Sequence, residues 1–293
     1  MPSPQGPLLP RRRLGAELRR LRGDRTLDEV AAETMISTSK LSRLENGQGV
    51  PQPRDIRDLI SFYDADRLTA DRLRRWMNEG RRQAWWKEYS DVMSDSADVT
   101  LDYESGASVI RTYAPMVLPG LVQTEQYAGR LLALIMPDRT PEQIGKLVQV
   151  RLRRQQILLT DSAEATRLLA VIDEAAIRRA QSLDGPDEGR AQLEHLLEIS
   201  QRPNVSIRIM PLEVGLHPGV LGMFEVFQFS DDIDRDVVHL EARAVDRYLE
   251  EQASVLDHLR LFDALSHRAL DNAGSRDLLS RLLTASHRQQ EQK

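Results

Sequence analysis

Residues 26–47 read Thr-Leu-Asp-Glu-Val-Ala-Ala-Glu-Thr-Met-Ile-Ser-Thr-Ser-Lys-Leu-Ser-Arg-Leu-Glu-Asn-Gly, and this stretch decides the fold of the first part of the chain. Thr26 is a good helix N-cap, and Glu29 follows it at the spacing of a capping box. Residues 26–33 therefore predict one short helix, and residues 38–45 predict a second. Two short helices joined by a turn of three to four residues are typical of a helix-turn-helix.

Apolar residues recur at helical spacing on both sides of this motif. Leu14, Leu18 and Leu21 mark one face of a first helix over residues 11–22. A further helix begins near Pro53, and its apolar face is formed by Ile56, Leu59, Ile60 and Tyr63. Four such helices can enclose one small core. The alternative interpretation is a four-helix bundle without a role in DNA binding.

The charge of the chain is divided unevenly. Residues 1–87 hold 18 Lys and Arg against 12 Asp and Glu, a net of +6, whereas the remainder holds 22 against 33, a net of −11. A basic first part suits contact with phosphates, because bound Lys and Arg release counterions from DNA. The candidate phosphate contacts are Arg11, Arg12, Arg13, Arg54 and Arg57, although such arginines can also simply solvate a helix face.

The second helix of the motif would read the bases. Helical geometry puts Thr38, Ser39 and Arg43 on its outer face, where their side chains could reach base edges in the major groove.

Residues 11–63 resemble the helix-turn-helix domain of the Xre family of phage-repressor-like transcriptional regulators, with Ser-Thr-Ser-Lys-Leu-Ser-Arg-Leu-Glu-Asn-Gly over 37–47. The resemblance implies an all-α, lambda-repressor-like domain and a structural ion pair between Arg20 and Glu45. Met35 stands where this family often places Gly, so it needs an unusual or rearranged turn. The full set of expected DNA-binding residues is Thr38, Ser39, Lys40, Ser42, Arg43, Asn46 and Arg54.

The sequence predicts four parts. They are a disordered arm over 1–10, the helix-turn-helix domain over 11–66, a helical linker over 67–98 and an α+β domain over 99–290. Trp76, Trp85 and Trp86 of the linker would either stack on nucleic acid or dock the linker onto the second domain. Segments with strand character do not alternate regularly with helical ones, which favours one mixed sheet over a doubly wound fold.

Residues 111–128, Arg-Thr-Tyr-Ala-Pro-Met-Val-Leu-Pro-Gly-Leu-Val-Gln-Thr-Glu-Gln-Tyr-Ala, resemble the signature of a large C-terminal domain of uncharacterised function. That domain occurs in many actinobacterial Xre-type regulators and is described as antitoxin-like. Residues 151–156 and 215–224 carry the same resemblance. It implies a very small protein, encoded by a neighbouring gene, as a binding partner.

Signs of catalysis in the second domain are weak. The six histidines include no two ligand pairs at metal spacing, and no phosphate loop or nucleophile motif is present, so we expect no metal, no cofactor and no enzyme activity. Asp173 and Glu174 would be either a catalytic pair or the acidic start of a helix. A possible ligand pocket comprises Tyr113, Gln123, Tyr127, Arg154 and His217, although His217 could instead only stabilise a turn.

The chain contains no cysteine and no apolar run near the roughly 18 residues of a membrane span, which fits a cytoplasmic protein that contacts no membrane. The sequence therefore predicts a DNA-binding transcriptional regulator that acts as a homodimer on a two-part, double-stranded operator. Its C-terminal domain would dimerise, bind a partner protein or sense a ligand. Two alternatives stay open: an antitoxin-like protein that neutralises a small neighbouring-gene product and binds DNA only for autoregulation, and an enzyme fused to a DNA-binding module.

Overall fold

The computed structural model describes residues 7–159, 165–182, 186–230, 234–241 and 245–290. These residues divide into two compact units. The first contains the described residues up to Ser90 together with Asp234, and the second contains the rest. Within the described residues, every helix is too short or too polar to cross a membrane.

The first unit is built from helices. They are α1 (Leu8–Arg22), α2 (Leu27–Thr34), α3 (Thr38–Glu45), α4 (Pro53–Phe62) and α5 (Arg67–Arg81), followed by a 3-10 turn at Trp85–Tyr89. The side chains of Thr26, Ser37 and Asp66 accept a backbone N–H at the start of α2, α3 and α5 respectively. The predicted arm is partly wrong, because α1 already begins at Leu8; residues 1–6 of that arm lie outside the described residues.

All five helices contribute to one apolar core, which confirms the predicted inner faces. Its buried members are Leu14, Leu18, Val30, Ile36, Leu41, Leu44, Ile56, Leu59, Ile60, Ala70, Leu73, Trp76 and Met77. Trp76 is fully buried there, so the prediction that all three tryptophans dock a linker onto the second domain fails for this residue. The predicted linker over residues 67–98 therefore includes a helix of the first unit, because Leu73, Trp76 and Met77 of α5 lie on one face at helical spacing.

The second unit combines helices with strands. Its elements are α6 (Asp95–Gly106), β1 (Val109–Ala114), α7 (Glu125–Ile135), α8 (Pro141–Arg154), α9 (Gln156–Leu159), β2 (Arg167–Asp173), α10 (Glu174–Gln181), α11 (Pro186–Ile199), β3 (Val205–Met210), β4 (Phe224–Gln228), β5 (Val237–Leu240), β6 (Arg247–Leu249), α12 (Gln252–Arg268) and α13 (Asn272–Gln290), with 3-10 turns at Gly120–Val122, Leu212–Val214 and Pro218–Leu221. The predicted boundary after residue 98 lies inside a helix, because α6 begins at Asp95 with Ser94 as its N-cap.

The described strands form one six-stranded sheet in the order β3-β2-β1-β4-β5-β6. Strand β2 pairs in parallel with β1 and β3, whereas β4 pairs antiparallel with β1 and β5, and β5 with β6. The predicted mixed sheet is therefore confirmed. Helices connect the parallel strands and short segments connect β4, β5 and β6, as these two kinds of pairing require.

The sheet is covered on both faces. One face, here called the α6 face, packs against α6, α7, α10, α11 and α13 through a core that includes Ile110, Ala114 and Phe227. The opposite face, the α12 face, packs against α12 through a core that includes Tyr113 and Phe262. Because side chains alternate along a strand, neighbouring residues of β1 lie on opposite faces.

Candidate nucleic-acid interface

The helix-turn-helix geometry follows from its caps. The Thr26 hydroxyl accepts the Glu29 N–H at 3.2 Å, and Glu29 accepts the Thr26 N–H at 2.7 Å, so the predicted capping box is confirmed. The Glu29 carboxylate also accepts the Thr26 hydroxyl, and the two hydrogen bonds that it accepts from the Thr26 N–H and hydroxyl lower the pKa of Glu29. Met35, which ends α2, adopts the left-handed conformation with φ 58° and ψ 21°, and its side chain is exposed. Met35 thus takes the backbone conformation that Gly would take there.

Helix α3 presents one face to the core and another to solvent. Leu41 and Leu44 are buried against the first-unit core, whereas Ser39 and Arg43 are exposed on the outer side. Thr38 and Ser42 flank them and are half-buried. The Arg43 side chain makes no hydrogen bond or ion pair within the part of the chain that the structure describes, so its guanidinium is available to a base edge.

Lys40 has a different environment from the one predicted. Its Nζ lies 2.7 Å from Asp55 Oδ2 on α4, and the Asp55 side chain is only 9 % exposed. Because a buried carboxylate needs a compensating charge, Lys40 ties α3 to α4. Lys40 therefore has a structural role in place of the predicted contact with a phosphate.

Asn46 and Arg19 form a small exposed network at the C-terminal end of α3. The Arg19 guanidinium donates to Asn46 Oδ1 at 2.7 Å, and Asn46 Nδ2 donates to the Ser42 carbonyl at 2.8 Å. The two side chains remain exposed at this end of α3. Sequence reasoning missed Arg19.

The predicted ion pair between Arg20 and Glu45 is wrong. Arg22 donates to Glu45 from Nε at 2.6 Å and from Nη2 at 3.0 Å, while Arg20 makes a two-point contact with Glu17. The reason is helical periodicity: Gly15, Arg19 and Arg22 share the face of α1 that meets α3, and Arg20 points elsewhere. Burial and the charge of Glu45 also raise the pKa of the neighbouring Tyr63 to about 12.

Gly15 allows α1 to approach α3 closely. A Cβ added there would lie 2.5 Å from the carbonyl oxygens of Leu44 and Glu45, which is too close for a real contact. This missing side chain places Arg19 and Arg22 at the end of α3.

The remaining candidate phosphate contacts separate into exposed and buried arginines. Arg54 is 82 % exposed near the start of α4, with Asp58 as a distant partner at 3.7 Å. Arg11 is instead buried, and its guanidinium donates to the carbonyls of Pro7 and Gly47 at 3.0 and 2.9 Å. Arg11 therefore stabilises the loop after α3 and is not available to DNA.

The five predicted pocket residues divide between the two faces of the sheet, so they do not form one pocket: Gln123 and Tyr127 both hydrogen-bond the backbone of Leu118 on the α6 face, away from Tyr113. Tyr113 lies on the α12 face of the sheet, where its ring contacts that of His217 at a centroid distance of 6.0 Å. Tyr127 lies in the core of the α6 face. Gln123 accepts a hydrogen bond from Arg151, and Arg154 pairs with Glu104. The sequence had placed residues from both faces of the sheet in one pocket.

Residues 13–76 match the model of a family described as a helix-turn-helix domain. Residues 98–281, more than half of the 293 in the chain, match the model of a family described as a domain of unknown function, DUF5753. The chain belongs to the DUF5753 family. Its DUF5753 domain contains the whole mixed sheet, and its helix-turn-helix domain extends into α5, in agreement with the burial of Trp76. No curated protein and no solved structure matches the chain.

Proposed function

We propose that this protein is a sequence-specific, DNA-binding transcriptional regulator of the Xre type that inserts α3 into the major groove. The exposed Arg43 carries the proposal, because it lies on the outer face of a helix whose inner face is fixed in a core. Ser39 and Thr38 would lie beside it near the bases, with Arg19, Asn46 and Arg54 near the phosphates.

A single α3 contacts only a few base pairs, so we propose that two copies of the chain bind a two-part operator as a homodimer in the cytoplasm. The net charge of +6 over residues 1–87 supports contact with phosphates, and the net charge of −11 over the remainder would keep the second unit away from them. We assign no catalytic role to the second unit.

Footprinting of the purified full chain on the DNA upstream of its own gene tests this proposal. We expect two protected half-sites about one helical turn apart, with protection that weakens as salt concentration rises. A protein that protects no segment, or that binds all sequences equally, would contradict it.

A second candidate function is antitoxin-like neutralisation of a small protein from a neighbouring gene, with DNA binding serving autoregulation. An exposed apolar loop favours it: Leu216 and Leu221 are 84 % and 96 % exposed. The loop is nevertheless firmly anchored, because Gly219 is buried so closely against Tyr113 that an added Cβ would lie 2.5 Å from its ring. Exposed apolar patches on a folded domain mark interaction surfaces.

Co-expression of the small protein with the full chain tests the second function. We expect growth to recover with the wild-type chain but not with a Leu216→Ser, Leu221→Ser double variant that still produces the same footprint. Recovery that does not depend on these leucines would contradict the role of this loop.

A further inference from the structure

A row of polar side chains crosses the α6 face of the sheet in the second unit. Thr112 on β1 pairs in register with Glu225 on β4, Glu225 pairs with His239 on β5, and His239 pairs with Tyr248 on β6. We call Thr112, Glu225 and His239 the polar row. All three are at most 6 % exposed, on a face that is otherwise apolar.

The polar row is held in a fixed geometry. Nδ1 of His239 lies 3.1 Å from Glu225 Oε2, and its ring stacks on that of Tyr248 at 5.0 Å. The Tyr248 hydroxyl in turn lies 2.7 Å from the Thr100 hydroxyl and donates to the Ser96 carbonyl at 2.8 Å. The imidazole is therefore oriented from one side by a carboxylate and supported from the other by an anchored ring.

Two buried polar atoms of the row lack a partner among the described residues: the Thr112 hydroxyl oxygen and Nε2 of His239. The nearest carboxylate oxygen to this Nε2, Oδ1 of Asp246, is 3.9 Å away, beyond hydrogen-bonding distance. Buried polar atoms are nearly always hydrogen-bonded, because desolvation without a partner is unfavourable. These two atoms are therefore positions at which a ligand gains hydrogen bonds.

Two arginines of α8 lie near Glu225 of the polar row. Burial alone would raise the pKa of Glu225, but the hydrogen bond and charge of His239 lower it, and the charges of Arg154 and Arg151 lower it further. Arg154 donates from Nε to Glu104 Oε1 at 3.0 Å, and its side chain keeps 17 % exposure. Arg151 is half-buried and contacts only the neutral Gln123 Oε1, at 2.8 Å, in the described part of the chain. Burial and the charge of Arg154 lower the pKa of Arg151 to about 10. Arg151 is thus a desolvated cation on which Glu241 and Glu104 act through their charges, and it has no ion pair within the described residues.

We propose that the polar row and Arg151 form a binding site for a small anionic molecule that also carries hydroxyl groups, in the chemical class of sugar phosphates and sugar acids. Arg151 binds the phosphate or carboxylate, because guanidinium groups match these anions in shape and charge. The hydroxyl groups bind Thr112, Glu225 and His239. Since β1 and β5 are two strand spacings apart, about 10 Å, a six-carbon chain with its anionic group has the length to reach along the row.

Such a molecule would be the effector that the second unit senses. The consequence for transcription rests on the proposed regulatory function, but the binding itself does not. Calorimetric titration of the full chain can therefore separate failure of the site from failure of DNA binding, which footprinting reports.

The test uses four probes: glucose 6-phosphate, gluconate, inorganic phosphate and glucose. We expect saturable binding of glucose 6-phosphate, of gluconate or of both, and at least tenfold weaker binding of phosphate or glucose alone. The absence of binding by all four overturns the proposal. It is also overturned if phosphate binds as tightly as glucose 6-phosphate, because the site would then hold an adventitious ion only.

Three variants locate the site. Thr112→Val and Arg151→Gln should each weaken binding of the tightest probe at least tenfold, and Arg153→Gln, an exposed neighbour on α8, should leave it unchanged. Unaltered binding in the Thr112 variant overturns the proposal. This substitution keeps the shape of the side chain, so it carries the test even if the Arg151 variant fails to fold.

Discussion

Arg22 holds Glu45 through two hydrogen bonds, of 2.6 Å from Nε and 3.0 Å from Nη2, across the contact between α1 and α3. Glu45 is the last residue of α3, and its side chain is only 5 % exposed. The pair therefore fixes the end of the helix that carries Arg43. Without it, the buried carboxylate would keep only Arg19, whose Nε lies 3.6 Å away and whose side chain is 56 % exposed.

We expect Arg22→Ala to lower the free energy of unfolding of the first unit by about 2–3 kcal/mol, the value of charged hydrogen bonds in a partly buried pair. Arg20→Ala should cost at most about 1 kcal/mol, because Arg20 is exposed and Glu17 keeps Arg72 at 3.2 Å. Urea unfolding followed by tryptophan fluorescence measures both, since Trp76, Trp85 and Trp86 all belong to the first unit. Equal losses would contradict the assignment of the pair.

We predict that the left-handed backbone conformation of Met35 lowers the free energy of unfolding of the first unit. A residue with a Cβ pays for the left-handed conformation that Gly adopts freely, so Met35→Gly should stabilise the unit by about 0.5–1 kcal/mol. The matched control is Ala32→Gly, an exposed site within α2, where Gly should destabilise by about 1 kcal/mol. Changes of the same sign at both positions in fluorescence-monitored unfolding would contradict the prediction.

Local signals in the sequence were sufficient for the helices of the helix-turn-helix motif in the first unit. The cap at Thr26, the break after Thr34 and the spacing of Leu14 and Leu18 gave the helices of the motif, because such signals depend on near neighbours. The partner of Glu45 could not be derived in this way. It depends on the rotation of α1 against α3, which the small size of Gly15 permits.

The second unit was predicted less completely, for the same physical reason. Strand β3 is recognisable from the sequence, because its β-branched residues Val205, Ile207 and Ile209 alternate along the chain, but the three-residue β6 is held by its pairing with β5 and carries little signal of its own. The polar row was missed because cross-strand register brings together Thr112, Glu225 and His239, which are far apart in the sequence.

Removal of the charge of Lys40 should affect the stability of the first unit, whereas removal of the charge of Arg54 should affect the salt dependence of operator binding. Lys40→Met should destabilise the first unit by about 1–2 kcal/mol, because it leaves Asp55 buried without its partner, and should leave the salt dependence of operator binding unchanged. Arg54→Met should leave stability nearly unchanged and reduce the slope of log K against log salt by about one unit. Titrations at several salt concentrations measure the slope; a reduced slope for Lys40→Met would restore its role as a phosphate contact.

Arg43 should determine base choice. Arg43→Ala is expected to weaken binding to the operator by about 1–3 kcal/mol and to relax selectivity at one base pair per half-site, because a guanidinium discriminates bases by a two-point hydrogen bond. Arg67→Ala, an exposed arginine at the start of α5, is the control and should retain selectivity. Gel-shift assays on operators varied one position at a time measure both effects. A loss of affinity that is uniform across all operators would assign Arg43 to a phosphate instead.

The pKa of His239 should lie above the usual value for histidine. Burial alone would favour the neutral ring, but the hydrogen bond and charge of Glu225 outweigh burial and raise the pKa of His239 above 6.5. A raised pKa means that folding stabilises the protonated ring. This contribution is fully present below pH 6.5 and is lost as pH rises through the pKa of the folded state. NMR titration of the imidazole should give a midpoint above 6.5 in the wild-type chain and a lower one in Glu225→Gln, which removes the charge and keeps the shape. A wild-type midpoint at or below 6.5 would show that desolvation dominates at this position.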